Sequence, residues 1–336
     1  MMIDQSRGRL NERFDVAVIG GGAAGLSAAL TLARARRRVI VIDAGSPRNA
    51  PAEGVHGFLT RDGIRPAELL ALGRAEVERY GGIVTHGRAT GARRVENGFE
   101  VTLDDGRVVG ARRLVVTTGL VDELPEIPGV RERWGRDVLH CPYCHGWEVR
   151  DQPIGVLGTN AWAVHQALLF RQWSSDVVLF RHTAPELTGK QAEELAARGI
   201  RVVEGIVDAL EIADDRLAGV RLRDGTMVAR RAVTVAPRFV ARSEVLRSLG
   251  IEPTAGPRGV DACIAADATG LTEVPGLWVA GNVTNVAAQV ITAAAGGTIA
   301  AAAVNADLIA EETREAVDMY RASGARELAH ASRRAS

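Results

Sequence analysis

The sequence is poor in cysteine and carries no net charge. Three cysteines among 336 residues are too few for a disulfide scaffold, so a close pair of them in a reducing compartment favours catalysis or metal binding. Acidic and basic residues balance at 41 each, and no overall field attracts the chain to nucleic acid or to an anionic membrane. We therefore expect a small neutral molecule or a protein as the partner, with no nucleic acid and no membrane.

Long apolar runs are also absent. The most apolar stretch, residues 290–304, is mostly alanine, contains Gly296 and Gly297, and is shorter than the roughly 20 residues that a membrane-spanning helix needs. The first 13 residues carry charges of both signs and have no apolar segment typical of a secretory signal. We therefore expect a cytoplasmic protein.

The sequence does contain a strand, helix, strand pattern that occurs twice. Its six segments are, in chain order, 14–19, 23–35, 39–42, 153–157, 162–173 and 177–180. A chain of this length also exceeds the size at which one hydrophobic core usually keeps growing. The pattern predicts an α/β fold of two Rossmann-like three-layer nucleotide-binding domains, with the second inserted into the first.

Two crossovers that contain proline bracket the second unit. They cover residues 124–129 and 235–239. We predict a discontinuous first domain formed by residues 12–120 and 238–312, an inserted domain over 121–237, and tails at 1–11 and 313–336.

The first glycine-rich loop has the spacing of a dinucleotide-binding fingerprint. Gly20, Gly22 and Gly25 stand in a G-x-G-x-x-G string between a strand and a helix, and Asp43 follows about 20 residues later. The glycines allow a tight turn, a close approach to a pyrophosphate and close packing of helix on strand, and the acid accepts hydrogen bonds from ribose hydroxyls. A glycine-rich turn without a ligand is the alternative, but the strand, helix and acidic residue all stand where dinucleotide binding requires them.

A second motif is the string His140-Cys141-Pro-Tyr-Cys144-His145. As a redox pair, the two thiols are spaced to close a small disulfide ring, and a helix start or a cation can lower one thiol pKa from about 8.5 to roughly 3.5–7.5. The string also matches a haem attachment signature, which belongs to exported proteins. Its four side chains could instead bind zinc, although zinc sites usually take their second pair of ligands from a distant segment.

Taken together, the motifs resemble those of the low-molecular-weight thioredoxin reductases. The glycine loop, Thr117-Thr118-Gly119, the C-x-x-C upstream of the second unit and the segment 275–282 follow each other in that family's order. The resemblance implies bound FAD, a thiol or disulfide partner such as a thioredoxin-like protein or a small dithiol, and a homodimer. It further implies that Cys144 faces the flavin and that Cys141 exchanges with the substrate.

His145 stands where the family has an aspartate. An imidazole, with an unperturbed pKa of about 6.5, is a better-matched proton carrier near neutral pH, so we expect a catalytic role, with a packing role as the alternative.

By the same resemblance, several residues are expected to bind FAD. Near the end of the chain, Asn282 replaces the family's aspartate and can still accept and donate hydrogen bonds. The helix that follows would point its positive end at the flavin. The expected FAD residues are Gly20, Gly22, Ala23, Ala24, Gly25, Asp43, Asn49, His56, Thr118, Gly119, Gly281, Asn282, Gln289 and Val290.

The second nucleotide unit departs from the family pattern. Its candidate NAD(P) residues are Gly158, Asn160, Ala163 and Arg181; Asn160 stands where the first loop has Gly22, and a side chain there obstructs a pyrophosphate. Arg181, opposite Asp43, could suit a 2′-phosphate, so NADPH stays open. The pattern favours a nicotinamide-independent dithiol oxidase, resembling the oxidases of gliotoxin and holomycin biosynthesis. The alternatives are an NADPH-dependent thioredoxin-disulfide reductase and a non-enzymatic redox sensor.

Overall fold

The computed structural model describes residues 13–256 and 261–334, with side chains described as far as residue 323. The predicted tail at 1–11 lies outside the described residues. The strands are β1 (Phe14–Ile19), β2 (Val39–Asp43), β3 (Ile83–His86), β4 (Ala89–Val95), β5 (Gly98–Leu103), β6 (Val108–Val116), β7 (Leu120–Glu123), β8 (Val138–Leu139), β9 (Ile154–Leu157), β10 (Val177–Phe180), β11 (Arg201–Val203), β12 (Val207–Ala213), β13 (Arg216–Leu222), β14 (Met227–Ala229), β15 (Ala232–Thr234), β16 (Arg238–Ala241), β17 (Thr254–Ala255), β18 (Ala262–Cys263) and β19 (Leu277–Val279). The helices are α1 (Ala23–Arg34), α2 (Pro66–Arg79), α3 (Pro142–His145), α4 (Trp162–Phe170), α5 (Gly189–Ala197), α6 (Glu244–Arg247) and α7 (Val290–Arg334).

The first sheet has seven strands in the order β3-β2-β1-β6-β5-β4, with β19 paired to β6. Strands β1, β2, β3, β6 and β19 run parallel, whereas β4, β5 and β6 form an antiparallel meander. Val18 lies opposite Val41 on one side and Val115 on the other, and all three are fully buried because both faces of the sheet are covered. The carboxyl ends of β1 and β2 therefore bring the glycine loop and Asp43 to one edge.

Helix α1 packs against α7 through small residues. A Cβ added at Gly297 would lie 2.0 Å from the carbonyl oxygen of Ala24, so the two backbones are in direct contact there. The prediction of a helix at 290–304 holds, but α7 continues to Arg334 because no proline follows. Its segment Val290–Ser323 is, by length and composition alone, apolar enough to cross a bilayer, contrary to the sequence expectation; its alanine face packs in the core with Ala300 and Ala301 fully buried.

The second unit is a five-stranded parallel sheet in the order β11-β10-β9-β15-β8, next to the antiparallel meander β12-β13-β14. The two connections to the first sheet run side by side, since β7 pairs antiparallel with β16 and Val121 lies opposite Val240. Strands β17 and β18 extend this pair into a small four-stranded sheet. The α/β class with two Rossmann-like units is confirmed, and the limits given for the domains stay predictions.

Local bounds agree closely with the sequence analysis, with one clear difference. The helix predicted over residues 162–173 ends at Phe170. The chain turns over the next residues, and Ser174 then donates its hydroxyl to the carbonyl of Gln152 at 2.6 Å. This side-chain bond fixes the turn that leads into β10.

We expect Gly297→Ala to lower the free energy of unfolding by about 1–3 kcal/mol, because the added methyl group has no space against Ala24. Gly296→Ala is the matched control: its Cβ would meet its nearest atom, the amide nitrogen of Gly281, at 3.8 Å. An alanine there should be neutral or stabilise the helix by up to about 1 kcal/mol. Urea unfolding followed by circular dichroism measures both, and equal effects of the two changes would contradict the close contact.

Candidate active site

A cavity of about 690 Å³ opens at the carboxyl edge of the first sheet and extends to the cysteine pair. Its volume lies within the range of small-molecule and cofactor sites. The residues singled out in the sequence that line it are Gly20, Gly22, Ala23, Ala24, Asp43, Asn49, His56, Thr118, Gly119, Cys141, Cys144, His145, Gly281, Asn282, Gln289 and Val290. Of the residues expected to bind FAD, Gly25 does not line the cavity.

The three glycines of the first loop meet three different steric requirements. Gly20 has a φ of +107°, and a Cβ there would lie 2.5 Å from the carbonyl oxygen of Thr117. A Cβ at Gly25 would lie 1.8 Å from the carbonyl oxygen of Gly20, so Gly25 allows α1 to pack on the loop. A Cβ at Gly22 would meet no atom within 4 Å, which means that this position faces open space. The loop thus leaves room for a pyrophosphate at the start of α1.

Asp43 is held at the same edge by two donors. Its Oδ1 accepts from the amide of Gly21 at 3.2 Å, and its Oδ2 accepts from Arg74 Nη2 at 3.1 Å. The carboxylate remains partly exposed to the cavity, where it can accept from ribose hydroxyls. The open face at Gly22 and this carboxylate together fit a flavin dinucleotide.

Asn282, which also lines the cavity, holds the loop that precedes α7. Its Nδ2 donates to the carbonyl of Ala288 at 2.9 Å and to that of Asn285 at 3.0 Å. Gly281 has a φ of +76°, and a Cβ there would lie 2.9 Å from the Cβ of Ala24. These contacts hold Gln289 and the amino end of α7 at the cavity wall, where the helix dipole favours negative charge.

Cys141 and Cys144 form a disulfide across the start of α3, with their Cα atoms 5.3 Å apart. Cys141 is the N-cap of this single turn, and Pro142 is its first residue. The segment is anchored from behind by Gln166, which sequence reasoning missed. This buried side chain donates to the carbonyls of His140 at 3.2 Å and Val235 at 3.1 Å. No sequence motif marks such a residue, since only the fold brings α4 against both segments.

His145 lies half-buried beside the disulfide, and its Nε2 has no hydrogen-bond partner within the described part of the chain. Burial lowers its pKa below the ordinary histidine value, Glu148 opposes this shift and His56 adds to it. The imidazole is therefore neutral near pH 7 and able to accept a proton from a thiol.

His56 connects the two domains at this point. Its Nδ1 lies 3.5 Å from Asp62 Oδ2 in the same loop, and its Nε2 lies 3.5 Å from Glu148 Oε1 in the inserted unit. The sequence predicts His56 in the flavin loop but carries no signal for Glu148, because their pairing depends on how the two units meet. The charges of both groups act on the pKa of His145, which Glu148 raises and His56 lowers.

The second nucleotide loop has a different character. Asn160 Oδ1 accepts from the backbone amide of Trp162 at 2.9 Å, so the side chain occupies the start of α4. Arg181 is engaged by Glu204 through its Nε and by the carbonyl of Ala184 at 3.2 Å. Gly158 lies against the carbonyls of Phe180 and Arg181, and Ala163 is buried. None of the four candidate NAD(P) residues lines the large cavity.

A dinucleotide cradle that opens onto a vicinal cysteine pair defines a flavin-dependent thiol–disulfide oxidoreductase. The chain belongs to the pyridine nucleotide-disulphide oxidoreductase family, whose model matches residues 14–297. The family and its thioredoxin reductase relatives use FAD, and this enzyme is accordingly FAD-dependent.

Individual relatives agree with this assignment. The chain is 52% identical to HlmI, with a TM-score of 0.85 over 91% of this chain and 96% of that structure. It is 30% identical to thioredoxin reductase sirT of Leptosphaeria maculans over 87% of this chain and 93% of that protein. It is 37% identical to a probable thioredoxin reductase of Arthroderma benhamiae, of which the match spans only 43%.

We expect His145→Gln to slow reduction of the bound flavin by dithiothreitol by about 10²–10⁴-fold at neutral pH, because a general base is lost. In the wild type the neutral, proton-accepting imidazole predominates above its pKa, which burial lowers, so the rate should fall only below the ordinary histidine value of about 6.5. Anaerobic stopped-flow absorbance measures both. His165→Gln, an exposed histidine on α4, is the matched control. An unchanged rate and profile in His145→Gln would make His145 a packing residue.

We expect Glu148→Gln to shift the acid limb of that profile to lower pH. Glu148 raises the pKa of His145, so removing its charge lowers this pKa further, and the neutral imidazole persists in more acid solution. The same stopped-flow titration measures the shift, with the exposed Glu186→Gln as control. A limb that stays in place or moves to higher pH would show that Glu148 does not act on His145.

Proposed function

We propose that this FAD-dependent enzyme is a dithiol oxidase that closes disulfides in small molecules without using a nicotinamide. The observation that carries the proposal is the state of the second nucleotide loop. The Oδ1 of Asn160 accepts from the amide of Trp162, the first residue of α4, and stands where the first loop has its open Gly22. A side chain that already uses this backbone donor competes with any phosphate ligand.

The charge of the second loop supports the same conclusion. Arg181, the side chain suited to a 2′-phosphate, is paired with Glu204. A phosphate would have to displace this carboxylate or bind beside it, and like charges in contact are unfavourable. One amide at the helix start and the arginine suited to a 2′-phosphate are therefore already engaged within the chain.

The residues around the disulfide suit oxidation of a dithiol. A substrate thiolate attacks Cys141, the second substrate thiol displaces it, and the substrate leaves as a disulfide while Cys141 and Cys144 become thiols. His145 accepts the thiol proton from Cys144. When bound, FAD supplies a two-electron acceptor that dioxygen reoxidises. In the balanced reaction the substrate loses two protons and two electrons, and dioxygen becomes hydrogen peroxide.

We further propose that the enzyme acts in the cytoplasm as a homodimer, without nucleic acid or membrane partners. The homodimer is supported by apolar side chains on the outer part of α7. Ile299, Ile309 and Tyr320 are 51%, 49% and 82% exposed, which is more apolar surface than an isolated helix face usually presents to water. Thioredoxin-like proteins remain the alternative substrates, with NADPH as the alternative electron donor.

We expect excess dithiothreitol to bleach the flavin within seconds of mixing in anaerobic stopped flow. Dioxygen should then restore its colour. Excess NADPH should leave the flavin oxidised on this timescale, because the second loop offers it no site. Cys144→Ser should abolish bleaching by dithiol. The matched control is Cys263→Ser, since Cys263 is a free cysteine that packs against the Phe239 cluster.

Rapid bleaching by NADPH would overturn the nicotinamide-independent reading and favour a thioredoxin-disulfide reductase. Bleaching by neither reagent, in a protein that retains FAD, would instead favour a redox sensor. Hydrogen peroxide formed in proportion to the dithiol consumed would separate oxidase turnover from a single reduction.

A further inference from the structure

Four arginines line the large cavity, and they differ in whether a carboxylate neutralises them. Arg48 binds Asp122 through two hydrogen bonds of 2.6 and 2.7 Å. Arg247 pairs with Glu252 at 3.0 Å. Within the described residues, Arg88 and Arg242 have no ion pair with a carboxylate.

The backbone fixes Arg242 firmly at the cavity wall. Its amide donates to the carbonyl of Gly119 at 3.0 Å, and its own carbonyl accepts from the hydroxyl of Thr118 at 2.6 Å. Its Nη1 donates to the carbonyl of Ser46 at 3.3 Å, which directs the guanidinium towards the loop that follows Asp43. The side chain therefore reaches the same edge of the sheet as the glycine loop.

The charges around Arg242 indicate an anionic ligand. Burial lowers its pKa, and so do the nearby cations Arg88 and Arg48, while Asp122 and Glu244 oppose this only in part. Asp122 is already bound to Arg48, and Glu244 makes no ion pair with Arg242 among the described residues. Two cations that face one cavity repel each other unless a negative group lies between them.

We propose that Arg88 and Arg242 bind the diphosphate of FAD. Arg242 bonds through its Nη1 to Ser46, three residues after Asp43, and through its amide to Gly119. Arg88 follows directly after Gly87, whose amide donates to the carbonyl of Asp43 at 3.0 Å. Both arginines therefore line the cavity at the sheet edge where the glycine loop leaves room for a pyrophosphate. The glycine loop and the two guanidinium groups together neutralise the charge of the diphosphate.

This inference rests on the family's FAD and not on the proposed oxidase activity. The test measures release of FAD from the purified full-length flavoprotein on dilution, by the fluorescence of the freed cofactor, at about 50 mM and about 1 M KCl. We expect Arg242→Gln and Arg88→Gln each to weaken FAD binding about 10- to 100-fold at low salt, the range of a charge-assisted hydrogen bond. Arg247→Gln, which removes an arginine already paired with Glu252, is the matched control and should change binding less than threefold.

Salt distinguishes a phosphate contact from a packing effect. Because the Debye length falls to about 3 Å at 1 M salt, the difference between Arg242→Gln and wild type should shrink markedly there. Arg242→Lys keeps the charge without the planar fork and should lose less affinity than Arg242→Gln, which also covers the case in which the glutamine variant folds poorly. Less than a threefold loss in both Arg242→Gln and Arg88→Gln, or a loss in these variants that is the same at both salt concentrations, would overturn the proposal.

Discussion

The contact of helix α1 with its neighbours through backbone alone is the constraint on which the rest of the structure depends. At its amino end, Gly25 lets the helix approach the carbonyl of Gly20, and the adjacent Ala24 touches Gly297 of α7. No larger residue fits at either glycine, so α1, the first sheet and α7 are locked in one arrangement. That arrangement brings two helix amino ends, those of α1 and α7, to the wall of a single cavity. A long cofactor with a negative centre and a reducible ring matches this pair of positive ends.

A different set of contacts holds the disulfide at that cavity. The chain enters the inserted unit through β7 and leaves it through β16. These two strands pair with each other and form one short two-stranded support. Gln166 attaches the segment before Cys141 to the end of that support at Val235. The position of the cysteines thus depends on a strand pair, a single amide side chain and the contact between His56 and Glu148. Each of these is weak compared with a buried core, which suits a pair of thiols that must meet both a flavin and a substrate.

The sequence predicted features that depend on local chemistry. Strand β1, strand β10 and the glycine loop follow from apolar periodicity and from steric rules that act over a few residues. Helix α7 continues past residue 312, the limit predicted for the first domain, because no proline interrupts the charged segment after Val304. Gln166, Glu148 and Arg242 were not predicted. Their roles arise from pairs that are far apart in the chain, and a lone glutamine, glutamate or arginine carries no spacing signal of its own.

The two nucleotide units illustrate how one local rule can be kept in one copy and lost in the other. In the first unit, Gly22 leaves the amino end of α1 open and Asp43 faces the cavity. In the second, Asn160 accepts from the first amide of α4, and Arg181 is bound to Glu204. The unit thus keeps its Rossmann-like fold while the amide of Trp162 is bonded within the chain. If electrons cannot enter through the second unit, both their source and their exit must lie at the first cavity, where the disulfide and the flavin meet. The proposed dithiol as electron donor and dioxygen as electron acceptor would satisfy that requirement.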